Sequence, residues 1–476
     1  MRQARVVDRH SHFARNVVVA LAFLPVLAAL FIDSAAPWDI RALAALLWVL
    51  STFPAFAYLR TDPRIRRPVP FMPAISLIFG IYYVLPLVLG VTDNYYNAPV
   101  YAETDYDYPV QLAFLGWIAM FASYLFAAVI FRNRRAATPI AWRPRILAHA
   151  GFFLMLSAMA VSAMRAYLFN ASLSGAILQF VLSVQWLGTG ILIILARRGE
   201  LTKGQRIGFW VAFGASTAML LANGNIAPMV LLFAIAAFAM WIGKPQIRAR
   251  WILGAIVAMV LAIAFRGIVI DFRRTLAERG VELSRQENLA LMVDLLGRRI
   301  ETQGVGGSLA HGLSMTAGRS ALMDLFANVA RRTPSEVPYW GGETYSTLAT
   351  SMIPRFLWPG KPVKVLGQTF GHRYSYIHAS NKSTAINLPI MVEFFVNFGS
   401  IGVLIGMAIV GFIYRLLDTL INRPGQSPLL SMIGVVILLP LLLIESDFSL
   451  VFGGLILTGF AFSIIWWQFR LLLGTR

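Results

Sequence analysis

The stretch PVQLAFLGWIAMFASYLFAAVIF, residues 109–131, runs without a single charged side chain. At about 1.5 Å per residue a helix of this length covers the ~30 Å hydrocarbon core of a bilayer, so the stretch reads as a membrane span. Its flanks give it a direction. Asp93, Glu103, Asp105 and Asp107 precede it, and Arg132, Arg134, Arg135, Arg143 and Arg145 follow it. Lys and Arg of short loops stay on the cytoplasmic side, so the chain here is expected to run from outside to inside.

Outward from this span the same composition continues. Hydrophobic residues make up 58% of the 476, charged residues only 13%, and the mean hydropathy is +0.69, which excludes a water-soluble fold. A window of ~20 residues predicts twelve spans, near 17–32, 41–59, 70–91, 109–131, 146–167, 175–195, 207–222, 226–242, 251–270, 389–414, 428–444 and 449–469. The expected fold is therefore an all-α polytopic membrane protein. The first run follows Arg2, Arg5, Arg9 and Arg15 in the manner of a signal peptide, but no small-residue cleavage site follows and a second span comes at once, so it reads as a retained anchor. Arg60, Arg64, Arg66 and Arg67, then Arg197, Arg198, Lys203 and Arg206, fall on the inner side, which puts both termini in the cytoplasm. The net charge of +19 reads as this topology signal plus attraction to anionic lipid heads, not as a nucleic-acid site. Cysteine is absent, which removes disulfides and thiolate metal sites.

The organisation is asymmetric. No repeat of 20–50 residues is visible. Residues 1–270 hold spans one to nine, 271–388 form a long polar connection, and 389–476 hold the last three spans. The connection carries 14 Lys or Arg, 9 Asp or Glu and half of the six histidines, and on this orientation it lies outside, where basic residues are disfavoured unless they have work to do. A carrier built from two related halves would place its longest connection centrally and inside, so the arrangement favours an enzyme with an exoplasmic site. Within the connection, ENLALMVDLLGRRI (287–300) predicts an amphipathic helix along the membrane surface with Arg298 and Arg299 snorkelling, and MTAGRSALMDLFANV (315–329) predicts a second helix. The prolines and the Gly341-Gly342 pair of TPSEVPYWGGETYSTLATSMIPRFLWPGKP (333–362) preclude one long helix, while its aromatics suit a sugar platform or a membrane interface.

Tyr339, Gly342 and Tyr345, then Ile353-Pro354-Arg355-Phe356-Leu357-Trp358-Pro359 with Lys361-Pro362, then Phe370 and Arg373-Tyr374, and finally Glu393-Phe394-Phe395 with Asn397-Phe398-Gly399 form a pattern that resembles the Wzy-type O-antigen and exopolysaccharide repeat-unit polymerases. The resemblance covers about residues 315–415 and is topological elsewhere. It implies a bacterial inner-membrane glycosyltransferase, similar in fold to other polytopic enzymes of lipid-linked sugars, that polymerises undecaprenyl-pyrophosphate-linked oligosaccharide repeat units at the periplasmic face. It implies no cofactor, no metal and no nucleic acid, and a chain-length regulator as a further partner. An O-antigen ligase with a lipid A core acceptor shares this topology and leaving group. A lipid-linked oligosaccharide flippase is the non-enzymatic alternative. The Pro-Arg-Phe-Leu-Trp-Pro block favours the polymerase.

A departing pyrophosphate gathers negative charge, which guanidinium forks meet best. Arg319, Arg355 and Arg373, with Lys361, are the expected clamp. Many relatives carry an arginine in a short exoplasmic turn that here reads Leu221-Ala222-Asn223-Gly224-Asn225, so Arg165 and Arg266 are the candidates to supply that charge. The acceptor hydroxyl needs a base. Glu393, one helical turn from Asn397 and on the same face, is expected to serve, ahead of His372 and His378. Tyr339, Trp340, Tyr345, Trp358, Tyr374 and Asn397 are expected to bind glycan. Gly402 and Gly406 predict close helix packing. The two amphipathic segments are expected to roof the outer mouth of the bundle, with part of 361–384 as a mobile gate.

Overall fold

The computed structural model describes residues 2–31, 37–62, 65–89, 106–131, 143–164, 174–222, 226–243, 267–269, 271–272, 275, 285–351, 353, 358, 360, 365–381 and 384–472. Among these the chain is all-α. It forms two compact units, residues 1–140 together with 318–476, and residues 141–317, so the long connection expected at 271–388 is shared between them. The first unit begins with α1 (Arg2–Ala29), α2 (Trp38–Arg60), α3 (Phe71–Tyr83), α4 (Leu85–Val88) and α5 (Asp107–Ile130). The second consists of α6 (Pro144–Ala163), α7 (Ser174–Arg198), α8 (Lys203–Ala222), α9 (Ile226–Gly243) and most of α10 (Arg285–Ser320). The first unit then resumes with α11 (Leu322–Arg332), a 3-10 turn at Glu343–Tyr345, α12 (Ser346–Ser351), α13 (Leu366–Arg373), α14 (Ile390–Ile421), α15 (Pro428–Leu441) and α16 (Phe448–Leu472).

Five of these helices are long and apolar enough to cross a membrane: α2, α5, α6, Phe180–Arg198 of α7, and α14. Asn16–Ala29, Phe71–Tyr83, Val230–Gly243 and Pro428–Leu441 are apolar but shorter. The architecture is that of a polytopic membrane protein, and the expected count of twelve crossings is corrected to five full-length ones among the described residues. The causes are local. The window at 70–91 is split because Val84 leaves helical geometry at φ −122° and ψ −50°, and most of the window at 251–270 lies outside the described residues. The window at 389–414 contains a reversal.

That reversal is the main departure from a simple bundle. Within α14, Gly399 adopts φ 65° and ψ −151°, a conformation that residues with a β-carbon avoid. Ile390–Phe398 forms one short arm, about 13 Å long, and Ser400–Ile421 forms a second, about 33 Å long. The arms fold back on each other. A β-carbon on Gly402 would overlap the carbonyl oxygen of Phe394, and one on Gly406 would overlap the Phe394 ring, although a straight helix would hold these residues well apart. Residues 390–397 are all buried. The long arm also presses on α5, where a β-carbon on Gly411 would overlap the Met120 carbonyl. One on Gly116 would come 3.1 Å from Val403 and 3.5 Å from Met391, touching both arms at once. The close packing expected at Gly402 and Gly406 therefore exists, but its partner is the chain's own preceding segment.

The amphipathic segments also differ from expectation. Residues 287–300 lie within α10, where Arg298 pairs with Asp294 in solvent, but Arg299 does not snorkel. Its side chain is 12% exposed and its Nη2 pairs with Asp271 at 2.9 Å, because a guanidinium this buried requires a counter-ion. The helix expected at 315–329 is divided at Ala321, at φ −77° and ψ 61°, and α11 beyond it buries Leu322, Met323, Leu325, Phe326 and Val329. Gly406→Leu is expected to cost about 1–3 kcal/mol through overpacking against Phe394, and adding Phe394→Ala to the same chain should recover part of that loss. Unfolding midpoints in detergent would show both effects; equal midpoints for wild type and Gly406→Leu would mean that the arms do not meet there.

Candidate functional site: an aromatic cleft at the hairpin tip

The segment after α11 is tied to the hairpin by backbone chemistry. The Trp340 N–H donates to the Val396 carbonyl at 2.9 Å, and the Gly342 N–H donates to Oδ1 of Asn397 at 2.8 Å. Nδ2 of Asn397 donates in turn to the Thr344 hydroxyl at 2.9 Å and to the Glu393 carbonyl at 2.8 Å. Gly341 (φ 57°) and Gly342 (φ 93°) provide the left-handed turn that this path needs. The Tyr339 hydroxyl lies over Gly399, 2.9 Å from where a β-carbon would stand, and the Tyr339 ring meets Phe395 edge-on at 6.4 Å.

These ties leave an open cleft of about 490 Å³ walled by Glu336, Pro338, Tyr339, Trp340, Glu343 and Arg373. Arg373 grips both carboxylate oxygens of Glu343, at 3.1 and 2.9 Å, while its guanidinium stacks 4.2 Å from the centre of the Trp340 ring. On the other side Arg332 donates from Nε to Glu336 at 2.6 Å. Tyr339 is 45% exposed, Glu343 and Glu336 also face solvent, and Trp340 is buried beneath the arginine. The cleft thus combines an exposed aromatic face with two carboxylates and a guanidinium, the groups that fix a ring carrying several hydroxyls.

Beneath the cleft Glu393, Asn397, Tyr345 and Tyr374 are engaged within the fold. Glu393 is fully buried, and its Oε2 accepts from the Phe448 N–H at 2.6 Å, so it caps the N-terminus of α16 where the helix dipole favours an anion. Asn397 is spent on the turn. Tyr345 is caged by Phe394, Phe398 and Phe448, and burial raises its pKa, with the Glu393 charge adding to the effect. Tyr374 is fully buried with its hydroxyl 2.5 Å from that of Thr333; burial raises its pKa as well, against the lowering influence of Thr333, Arg332 and Arg373. His372 is half-buried at the end of α13, and the exposed His378 is occupied through Nδ1 with Ser380 at 2.8 Å. Since the Ser380 N–H also donates to that nitrogen, the proton of a neutral ring sits on Nε2. Trp358 is 39% exposed. Arg319 stands in the last turn of α10 with its side chain outside the description, and Arg165, Arg266, Arg355 and Lys361 lie outside the described residues.

Of the expected residues, the structure brings Tyr339, Trp340 and Arg373 into the cleft. It adds Glu336 and Glu343, for which the sequence offered one signal, the spacing of Glu336 four residues after Arg332. Within 361–384, the segment expected to hold the gate, α13 forms and Phe370 and Tyr374 are fully buried.

Glu393→Gln, which keeps the shape and loses the charge, is expected to destabilise the protein by about 1–2 kcal/mol, and Glu393→Leu by more, because the Phe448 N–H then loses its acceptor. Thermal unfolding of the three proteins gives the order, and three equal midpoints would remove the cap. The two tyrosines predict an alkaline effect. A raised folded-state pKa means that the fold favours the protonated phenol, so this contribution is complete below the ordinary value of 10.0 and is lost as pH climbs above it towards the folded value. Tyr345→Phe and Tyr374→Phe should therefore leave the phenolate absorbance of the folded protein near pH 10 unchanged; a drop in amplitude would show an exposed phenol.

A family model described as a domain of unknown function (DUF8712) matches residues 307–423, the part of the chain that carries the cleft and the hairpin. No curated protein and no solved structure matches this chain.

Proposed function

We propose that the protein is a polysaccharide polymerase of the bacterial inner membrane, joining undecaprenyl-pyrophosphate-linked repeat units at the periplasmic face, with both termini cytoplasmic. The observation that carries this reading is the open cleft in which Tyr339 offers an aromatic face beside the Glu343–Arg373 pair, set on the tip of a helical hairpin in an apolar bundle. Tyr339 would stack on a sugar ring, and Glu336 would accept from its hydroxyls. Glu343 is one of the two carboxylates open to the cleft, and in this reading it takes the proton of the acceptor hydroxyl. That oxygen forms the new bond to the anomeric carbon of the donor glycan, the bond from that carbon to the phosphate oxygen breaks, and polyprenyl pyrophosphate leaves as the anion. Arg373, freed from Glu343 as the carboxylate is protonated, meets the leaving charge together with Arg319, Arg355 and Lys361. Glu393 and Asn397 hold the turn that positions Glu343, one as a helix cap and the other as a clamp.

In a deletion strain carrying the gene on a plasmid, Glu343→Gln is expected to lower polymer formation by about 10²–10⁴-fold and to leave single repeat units on lipid, the loss typical of a missing general base. Tyr339→Ala should weaken substrate binding with a smaller effect on turnover. Polymer of normal amount and length from both variants would sink the cleft, and a deletion strain that still builds full-length polymer would sink the reading itself.

A further inference from the structure

The far end of the α14 hairpin carries a second polar cluster unrelated to the cleft. Asp418, 2% exposed, receives two guanidiniums on the same oxygen: Arg67 Nη1 forms a short contact with Oδ2, and Arg415 Nη1 lies 3.5 Å from it. The Tyr124 hydroxyl of α5 donates to that oxygen at 2.6 Å, and Asn422 Nδ2 donates to Oδ1 at 2.7 Å. Asn422 also clips Val69 through both its polar atoms, at 3.1 and 2.7 Å, which fixes the segment bearing Arg67. The carboxylate is fully used, while the arginines are not. Among the described residues both guanidiniums bond only through Nη1, and the Arg415 Nε is buried without an acceptor. Two cations on one anion leave a unit of positive charge, with the side chains of Arg67 and Arg415 only 19% and 16% exposed.

Buried charge is neutralised by pairing, and no second protein carboxylate joins this cluster among the described residues. We propose that Arg67 and Arg415, pinned side by side on Asp418, form a headgroup site for the phosphate of an anionic phospholipid. Three observations favour a lipid over a free anion. Tyr124 and Arg415 each stand six residues, about 9 Å, before the ends of α5 and α14, the depth at which an arginine near the end of a bilayer-length helix meets headgroups. The same ends expose Phe126, Val129 and Leu420 at 64, 72 and 57%, a surface for acyl chains. The uncompensated charge favours a net anionic headgroup over a zwitterionic one.

The test reconstitutes the full chain in phosphatidylcholine nanodiscs with or without phosphatidylglycerol, follows the unfolding midpoint, and counts retained lipid by native mass spectrometry. Phosphatidylglycerol is expected to raise the midpoint and to remain bound, saturating at low lipid content. Arg67→Gln and Arg415→Gln should each weaken retention about tenfold, the loss of one charge-assisted contact, while Arg198→Gln, an exposed arginine of the other unit, should not. Should either cluster variant fail to fold, saturation in the wild type decides between a site and general surface attraction. Equal midpoints in the two lipids, a shift that grows with phosphatidylglycerol content without saturating, undiminished retention in both cluster variants, or an equal stabilisation by inorganic phosphate in phosphatidylcholine alone would each overturn the lipid site.

Discussion

The contact of Phe394 with Gly402 and Gly406 is the constraint from which the first unit is built. A helix of 32 residues would carry its N-terminus far from α5; reversed at Gly399, it brings Met391 and Val403 to the same point beside Gly116. The reversal depends on two kinds of glycine. Gly399 supplies a backbone conformation closed to other residues, and Gly402 and Gly406 supply the space into which the Phe394 carbonyl and ring move. Burial of the whole short arm then offsets the interruption of the helix, since residues 390–397 are all buried.

The cleft follows from that hairpin. Breaking a helix frees backbone groups, and here they are used: the Val396 carbonyl accepts from Trp340, while Asn397, one turn after Glu393, satisfies the Gly342 N–H and the Thr344 hydroxyl. The cleft wall is therefore set by hydrogen bonds to an element that is itself rigid. Arg373 and Glu343 then need only each other and the Trp340 ring to take a fixed position.

The sequence predicted helices better than it predicted their paths. The uncharged run at 109–131 coincides with α5 and 41–59 with α2, because length without charge is a local property. A reversal is not local: an apolar run reads alike whether straight or folded, and the glycines of NFGSIGVLIG were legible as packing sites but not as packing against their own preceding turn. The role of a polar residue is hard to read from sequence for a related reason. Glu393 and Asn397 share one face of an apolar helix, yet what distinguishes a catalytic carboxylate from a cap is the atom it meets, and that atom, the Phe448 N–H, lies 55 residues further along the chain. Glu343 passed unnoticed because an acidic residue after a Gly-Gly turn looks like ordinary solvent-facing sequence.

The two buried carboxylates of α14 show how placement decides what an apolar helix tolerates. Glu393 meets the N-terminus of α16, where aligned peptide dipoles supply about half a positive charge that favours an anion. Asp418 meets no helix N-terminus. It lies near the C-terminal end of its own helix, where the dipole is unfavourable to an anion, so it is held by a tyrosine, an asparagine and two arginines. That difference explains the hydropathy window that closed at residue 414: the charges at 415 and 418 marked the end of the apolar run, but because Arg415 and Arg67 both pair with Asp418 within the fold the helix continues to Ile421. Two ionisable residues in one helix thus have opposite electrostatic settings: Glu393 faces the N-terminal end of α16, and Asp418 faces two guanidiniums.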